Sequence, residues 1–266
     1  MQRMLLLSTL ASSMLFSLTG CGSFSLISKE QEIAMGREAA PKFEEEFGGP
    51  VEDAALQNYV SQVGQQMAAV STRQGIPYEF GLLNSDVPNA FALPGGKIYI
   101  TAGLLRAMTN ERQLAGVLGH EVGHVAEKHS VEQIEKQVGA AVLLEIAATV
   151  IGGDTGEKAK AAGTIAANMA MLKYSREDEY EADKRGIDYT YRAGVNPYGV
   201  VELLEVLYKM NEQEPGSLGE MFQTHPLTSK RIEEAIAYIE EEYDSAKPDA
   251  PDPNAARFRN MQKRLK

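Results

Sequence analysis

His120-Glu121-Val122-Gly123-His124 sets two imidazoles four residues apart with a carboxylate beside the first. In a helix, residues i and i+4 stack one turn apart on one face, so both rings can reach one metal ion. Glu121, one step around from His120, can hold a metal-bound water as general base without taking a ligand position. That is the geometry of a hydrolytic zinc site, in a chain with only four histidines. Such a site needs a further protein ligand and an open position for water. The run Ser175-Arg176-Glu177-Asp178-Glu179-Tyr180-Glu181-Ala182-Asp183-Lys184-Arg185-Gly186 offers candidates. Ser175 with Asp178 resembles a capping box, so this run opens a helix on which Glu179 and Asp183 share a face and Glu181 points about 200° away. One carboxylate can bind zinc while the other accepts the spare ring N–H of a zinc-binding histidine.

The elements that must position these groups follow from periodicity. Asn110 with Gln113 reads as an N-terminal cap, and Leu114, Val117, Leu118, Val122 and Val125 form an apolar stripe, which predicts one helix over 110–129. On that helix His129 lies roughly 180° from His120, so it is read as structural and not as a ligand of the same zinc. Residues 138–153 and 159–172 read as two alanine-rich helices joined by a glycine turn. With Glu145 at its centre, the first is shorter than the roughly 20 residues that span a bilayer. Core packing is the simpler account of the pair, with a lid over the site as the other. Residues 97–101 are β-prone and follow Pro94-Gly95-Gly96, with 89–93 as the extended approach. An exposed sheet edge there would bind an extended peptide by main-chain hydrogen bonds, whereas Phe91, Ile98 and Ile100 are expected in the core. Further helices are expected near 29–47, 52–70, 198–212 and 228–243. The predicted class is α+β, mainly helical, with a small β-sheet next to the zinc helix.

HExxH and SRxxExEADxxG, present without a gap at 120–124 and 175–186, resemble the gluzincin metalloendopeptidases of the CAAX prenyl protease, HtpX and BepA type. The block from Asn89 to Thr101, and Thr224-His225-Pro226-Leu227 followed by Arg231, are similar to further parts of that family, and the likeness covers roughly residues 30–243. The resemblance implies a zincin-like fold with one Zn2+ per chain on His120, His124 and Glu179, Glu121 as the catalytic residue, and Asp183 orienting a zinc-bound histidine. It gives His225 one of two roles: stabilising the oxyanion, or filling the fourth zinc position as a plug that displaces the water. Arg231 would face the cleft, and Asn89, Ala90, Phe91 and Ala92 would form the edge strand that meets substrate. It implies a metalloendopeptidase acting on unfolded or immature envelope proteins. The alternative is a chaperone-like periplasmic binding factor whose zinc is plugged by His225. A purely structural zinc would need a permanently filled fourth position.

The ends of the chain bear on where this happens. Arg3, an apolar stretch over 4–18 and then Leu18-Thr19-Gly20-Cys21 have the form of a signal peptide ending in a bacterial lipobox. Cys21 is the only cysteine, which leaves no disulfide framework and fits a lipidated N-terminus. Acyl chains there would hold the domain on a membrane without a spanning helix. Gly22 follows, with no aspartate to signal inner-membrane retention, so the expected location is the outer membrane facing the periplasm. The expected plan is a cleaved signal peptide over 1–20, a lipidated tether over 21–29, a metallopeptidase domain over 30–243, and a Pro/Asp-rich linker with a basic tail over 244–266. The net charge of −11 becomes about −12 once Arg3 is removed, which argues against nucleic acid as a partner.

Overall fold

The histidine helix, α4 (Glu111–Ala126), starts where expected, with the Asn110 side chain accepting from the Gln113 amide at 3.0 Å. It does not continue to His129. Lys128 turns left-handed at φ 64°, and a separate helix, α5 (His129–Val138), begins. Neither glycine nor proline marks this break, and a left-handed non-glycine residue costs roughly 1–2 kcal/mol. The turn brings His129 back against α4, so tertiary contact sets this boundary rather than local propensity. The acidic helix, α8 (Arg176–Arg192), opens on the expected Ser175–Asp178 capping box. Of all the helices, α8 packs most extensively on α4.

Small residues permit that approach. A Cβ on Gly186 would lie 3.0 Å from the His120 backbone nitrogen, and one on Gly119 would lie 3.2 Å from the Gly186 carbonyl oxygen. Gly186→Val is therefore expected to push α8 off α4, destabilising the fold by about 1–3 kcal/mol and weakening metal binding. Thermal unfolding and metal titration would check this, and an unchanged metal affinity would refute it.

The described residues of this computed structural model are 26–213 and 219–265. Before the histidine helix come α1 (Lys29–Glu46), α2 (Ala54–Ala69), β1 (Glu79–Leu83), β2 (Ala90–Ala92), β3 (Lys97–Thr101) and α3 (Ala102–Ala107). Between α5 and α8 lie α6 (Ala140–Gly152) and α7 (Thr155–Ala170), and after α8 come α9 (Tyr198–Gln213), α10 (Gly219–Thr224), α11 (Ser229–Glu242) and α12 (Ala255–Gln262). The architecture is mainly helical with one small sheet, as the sequence predicts. Strand β3 has the predicted bounds, while β1 was not anticipated; it pairs parallel to β3. The order β1-β3-β2 leaves β2 at the edge, beside α4.

Ala90, Phe91 and Ala92 are all buried, and Ser130 Oγ on α5 donates to the Ala92 carbonyl at 3.0 Å. Thr101 N–H donates to Asn89 O and Leu93 N–H to Lys97 O, so the odd residues face β3 and the main-chain groups of Ala90 and Ala92 turn outward. Ser130 thus occupies one outward carbonyl of a strand that carries two small alanines, while Asn89 and Phe91 line a pocket that reaches His225.

Helices α6 and α7 pack on α1, burying Leu143, Ile146, Val150 and Ile165 in one cluster with Met35, Ala39 and Phe43. Packing accounts for most of this pair. Only the end of α7 and the residues just after it, Met169 and Leu172, reach the vicinity of His225. Among the described residues no helix is long and apolar enough to cross a membrane. The segment expected as linker and tail over 244–266 folds back on the domain over its described residues, 244–265. Phe258 is 1% exposed in the core with α2 and α4 residues, Gln262 Nε2 donates to the Met108 carbonyl at 2.8 Å, and Arg264 pairs with Asp53 at 2.9 Å. A single aromatic anchor offsets a composition that otherwise reads as extended. The signal peptide, lipobox, Cys21 and most of the tether lie outside the described residues.

Candidate metal centre

His120 and His124 project from α4 with their Nε2 atoms 3.0 Å apart. Glu179 arrives from α8, with Oε1 3.5 Å from His124 Nε2 and Oε2 3.7 Å from His120 Nε2. Asp183, one turn on, places Oδ1 2.9 Å from His120 Nδ1. His225, just after α10, sets Nδ1 2.9 Å from Glu179 Oε1. His120, His124, Glu179 and His225 are buried, and each offers one donor atom within 4.8 Å of the others. Beside them Glu121 is 1% exposed, its Oε1 3.8 Å from His225 Nε2. Of the residues named from the sequence, these five converge, with Asp183 behind His120. Asn89 and Phe91 lie across from them in a pocket that ends on His225.

The protonation pattern fits a cation. Asp183 faces His120 Nδ1, which places the ring proton there and leaves the Nε2 lone pair directed inward. Burial, opposed by the Glu179 hydrogen bond, holds His124 well below the usual histidine range, so it is neutral and able to ligate. Two imidazole nitrogens facing each other beside a carboxylate make an N2O donor set suited to a metal ion. Glu121 Oε2 is buried with no hydrogen-bond partner among the described residues. Burial, against the pull of His225 and His120, raises the Glu121 carboxyl above its ordinary value. A carboxylate so placed is a ready proton acceptor.

Arg231 faces the cleft as the family likeness implies, clamped on two carboxylates. It is 5% exposed, donates from Nε and Nη2 to Asp183 at 2.8 and 2.7 Å, and its Nη1 contacts Glu179 Oε2. Burial opposes the Arg231 charge, but Asp183 and Glu179 overcome it and hold the guanidinium protonated. Burial likewise pulls the Glu179 carboxyl upward, yet Arg231 and His225 keep it well below the usual range. For His225, burial disfavours charge while Glu179 and Glu121 favour it, with a net upward shift.

Sequence reasoning missed three supports. His129 lies outside the donor group, but its Nδ1 sits 2.9 Å from His124 Nδ1 and its Nε2 3.4 Å from Glu181 Oε2. A metal on His124 Nε2 leaves that ring's proton on Nδ1, pointing at His129. Tyr174 stacks on His124, centroids 3.9 Å apart and rings 17° from parallel, and its hydroxyl lies 2.9 Å from Ser130 Oγ. The Tyr174 N–H donates to the Thr224 carbonyl at 3.0 Å, fixing the residue before His225. Residue type alone marks neither Tyr174 nor Ser130; His129 could have been found only by anticipating the break at Lys128. His129→Ala is expected to weaken metal affinity about 10- to 100-fold, read by competition with a chromophoric chelator, and unchanged affinity would remove His129 from this role.

A cleft of about 470 Å³ opens beside His120 and Glu121, walled by Val117, Leu203, Leu207 and Met221. A mainly helical domain that sets a histidine pair and a glutamate from two crossing helices around one buried point, with a second glutamate beside them, is a zincin-like metallopeptidase. The chain belongs to peptidase family M48, whose sequence profile matches residues 54–239. It is 31% identical over 230 residues to the beta-barrel assembly-enhancing protease of Yersinia pestis, covering 81% of this chain and 45% of that protein. The protein of that name from Escherichia coli (strain K12) is 30% identical over 237 residues, with the same coverage. The mitochondrial metalloendopeptidase OMA1 of Arabidopsis thaliana is 32% identical over 206 residues, 76% of this chain and 40% of that one. The chain thus spans less than half the length of these relatives.

Proposed function

We propose that the chain is a zinc metalloendopeptidase that cleaves unfolded or misassembled proteins of the bacterial envelope, held by lipid on Cys21 at the outer membrane and facing the periplasm. The observation that carries the reading is the buried convergence of His120, His124 and Glu179 with Glu121 beside them, whose Oε2 has no hydrogen-bond partner among the described residues. The names of the beta-barrel assembly-enhancing relatives support envelope proteins as substrates.

His120, His124 and Glu179 would hold the zinc, which when bound would supply a Lewis acid for the scissile carbonyl and a water of strongly lowered pKa. Glu121 takes the water proton on Oε2 and passes it to the leaving amine. Asp183 holds the His120 ring by its Nδ1–H, and Arg231 keeps Asp183 and Glu179 ionised. The apolar walls of the adjoining cleft receive a substrate side chain and exclude water.

A second reading, a binding factor of chaperone type, has one specific observation in its favour: His225 is 6% exposed and stands within the donor group itself. If His225 held a fourth metal position, it would leave no room for a nucleophilic water, and holding a client would be the resting activity. The test is degradation of a denatured β-barrel protein by the full chain, after chelation and after zinc is restored. Cleavage that disappears and returns with zinc supports the peptidase. His225→Ala is expected to raise the rate if the ring is a plug and to lower it if it stabilises the oxyanion. No cleavage by either protein with one zinc bound per chain would overturn the peptidase reading in favour of the binding factor.

A further inference from the structure

Among the described residues six large apolar or aromatic side chains stand exposed, and four of them lie in one part of the chain: Val142, Leu144 and Ile151 on α6, and Met171 at the C-cap of α7. The inner face of α6, with Leu143, Ile146, Ala147 and Val150, is buried. Its outer face recurs at helical spacing through Ala140, Ala141, Leu144, Ala148 and Ile151, all exposed, Leu144 by 43% and Ile151 by 53%. Glu145 is the only charged residue of the helix. Gln137 Nε2 donates to the Met171 carbonyl at 3.4 Å, two residues before Gly139 at the N-cap of α6, so Met171 sits by the start of this stripe.

A helix that is apolar on all sides is covered on all sides, in a core or in lipid, and an apolar patch left bare marks a contact surface. Three observations favour lipid. Ile27, 5% exposed, is buried in the same cluster as Leu143, Ile146 and Val150. Cys21 stands six residues before it, so acyl chains on Cys21 start within roughly 21 Å of Ile27, about the length of α6 itself. Residues 136–173 carry four lysines against three carboxylates in a chain of net charge −11, so this part escapes the acidic excess that anionic headgroups would repel. The same residues include no arginine and no aromatic ring, the anchors that protein interfaces favour. A bilayer needs neither, only apolar area.

We propose that the outer stripe of α6, with Met171, lies flat in the headgroup layer of the membrane that holds the lipid anchor. The inference rests on the acylated Cys21 of the proposed function and adds a second, non-covalent contact. With 13 residues α6 is too short to span a bilayer, which takes about 20. Lying in the plane, it buries one side in protein and the other at the boundary of headgroups and acyl chains. A tether alone leaves the domain free to tumble, whereas a second contact about one helix length away fixes its orientation. Leu172, next to Met171, lines the pocket that ends on His225, so the docked domain holds that pocket close to the lipid surface. Clients at the membrane are thereby favoured over those free in solution.

The test uses the zinc-loaded lipoprotein as the cell processes it, reconstituted on vesicles of phosphatidylethanolamine with a minor share of phosphatidylglycerol. Ile151→Cys, Leu144→Cys and, on the exposed side of α2, Gln66→Cys each receive an environment-sensitive fluorophore. All three positions are exposed, and matched zinc content shows that each protein keeps its fold. Lipids carrying a doxyl quencher should quench the Ile151 and Leu144 probes at least about threefold more than the Gln66 probe, and iodide in the water should show the reverse order. Adding Leu144→Asp to the Ile151 probe should cut the lipid quenching by about half or more. An Ile151 probe that iodide reaches as readily as the Gln66 probe overturns the proposal. So does one shielded from iodide without quenching by lipid, since a second copy of the chain then covers the face. Intact mass separates the two readings: an unacylated chain sinks the anchor, and its quenching pattern on the same vesicles, read in a Cys21→Ser background, still decides the docking.

Discussion

Glu121→Gln is expected to leave one zinc bound per chain and to lower kcat for peptide hydrolysis by about 10²- to 10⁴-fold, the usual contribution of a positioned general acid–base. Glutamine has nearly the same shape, so the packing of a side chain that is 1% exposed survives. What disappears is the proton acceptor at Oε2, a buried carboxylate oxygen with no hydrogen-bond partner among the described residues. Zinc is untouched because Glu121 lies outside the donor group of His120, His124, Glu179 and His225. Glu179→Ala should show the opposite pattern, losing the metal first and activity with it. The check is metal content per chain beside initial rates at saturating peptide. A Glu121→Gln protein that stays active at matched zinc would refute the assignment of the general base.

Arg231→Met is expected to destabilise the metal-free protein by about 3–5 kcal/mol, the range for removing one partner from a buried ion pair. The guanidinium serves two carboxylates, Asp183 through two hydrogen bonds and Glu179 through Nη1, and all three groups are buried. Without it both carboxylates stay in the interior with their charge uncompensated, apart from the histidines beside them. In a domain of this size that corresponds to a fall in Tm of roughly 10 °C. Zinc should reverse much of the loss, because a divalent cation on Glu179 restores the missing positive charge and stabilises whatever state binds it. The zinc-induced rise in Tm should therefore be larger in Arg231→Met than in the unsubstituted chain. Equal shifts would show that Arg231 packs without neutralising the site. A double substitution, Arg231→Met with Asp183→Asn, should recover part of the apo stability, since it removes one of the stranded charges.

The two helices that carry the ligands were readable because their signals are local. Asn110 with Gln113 and Ser175 with Asp178 cap them within four residues of sequence, and both caps form. Glu179 and Asp183 share a face by the 3.6-residue repeat alone, and the structure turns that face to the histidines. Features that depend on distant partners were not readable. Strand β1 exists because β3 offers it a parallel edge, and residues 244–265 are held by the place Phe258 takes in the core. The break at Lys128 is the sharpest case: local propensity predicts one helix over 110–129, and the contact between His129 and His124 stabilises a turn that no residue type announces.

The sequence by itself determined the donor types, their spacing, the place of Glu121 beside them and the mainly helical class, because each is set by covalent order and helical period. Tertiary structure alone decided that Arg231 binds the ligand glutamate as well as its neighbour, that His129 backs His124 from another helix, that Ser130 takes the Ala92 carbonyl of β2, and that two apolar pockets share His225. Those are relations between elements separated by tens of residues, and packing free energy, which depends on the whole fold, selects them.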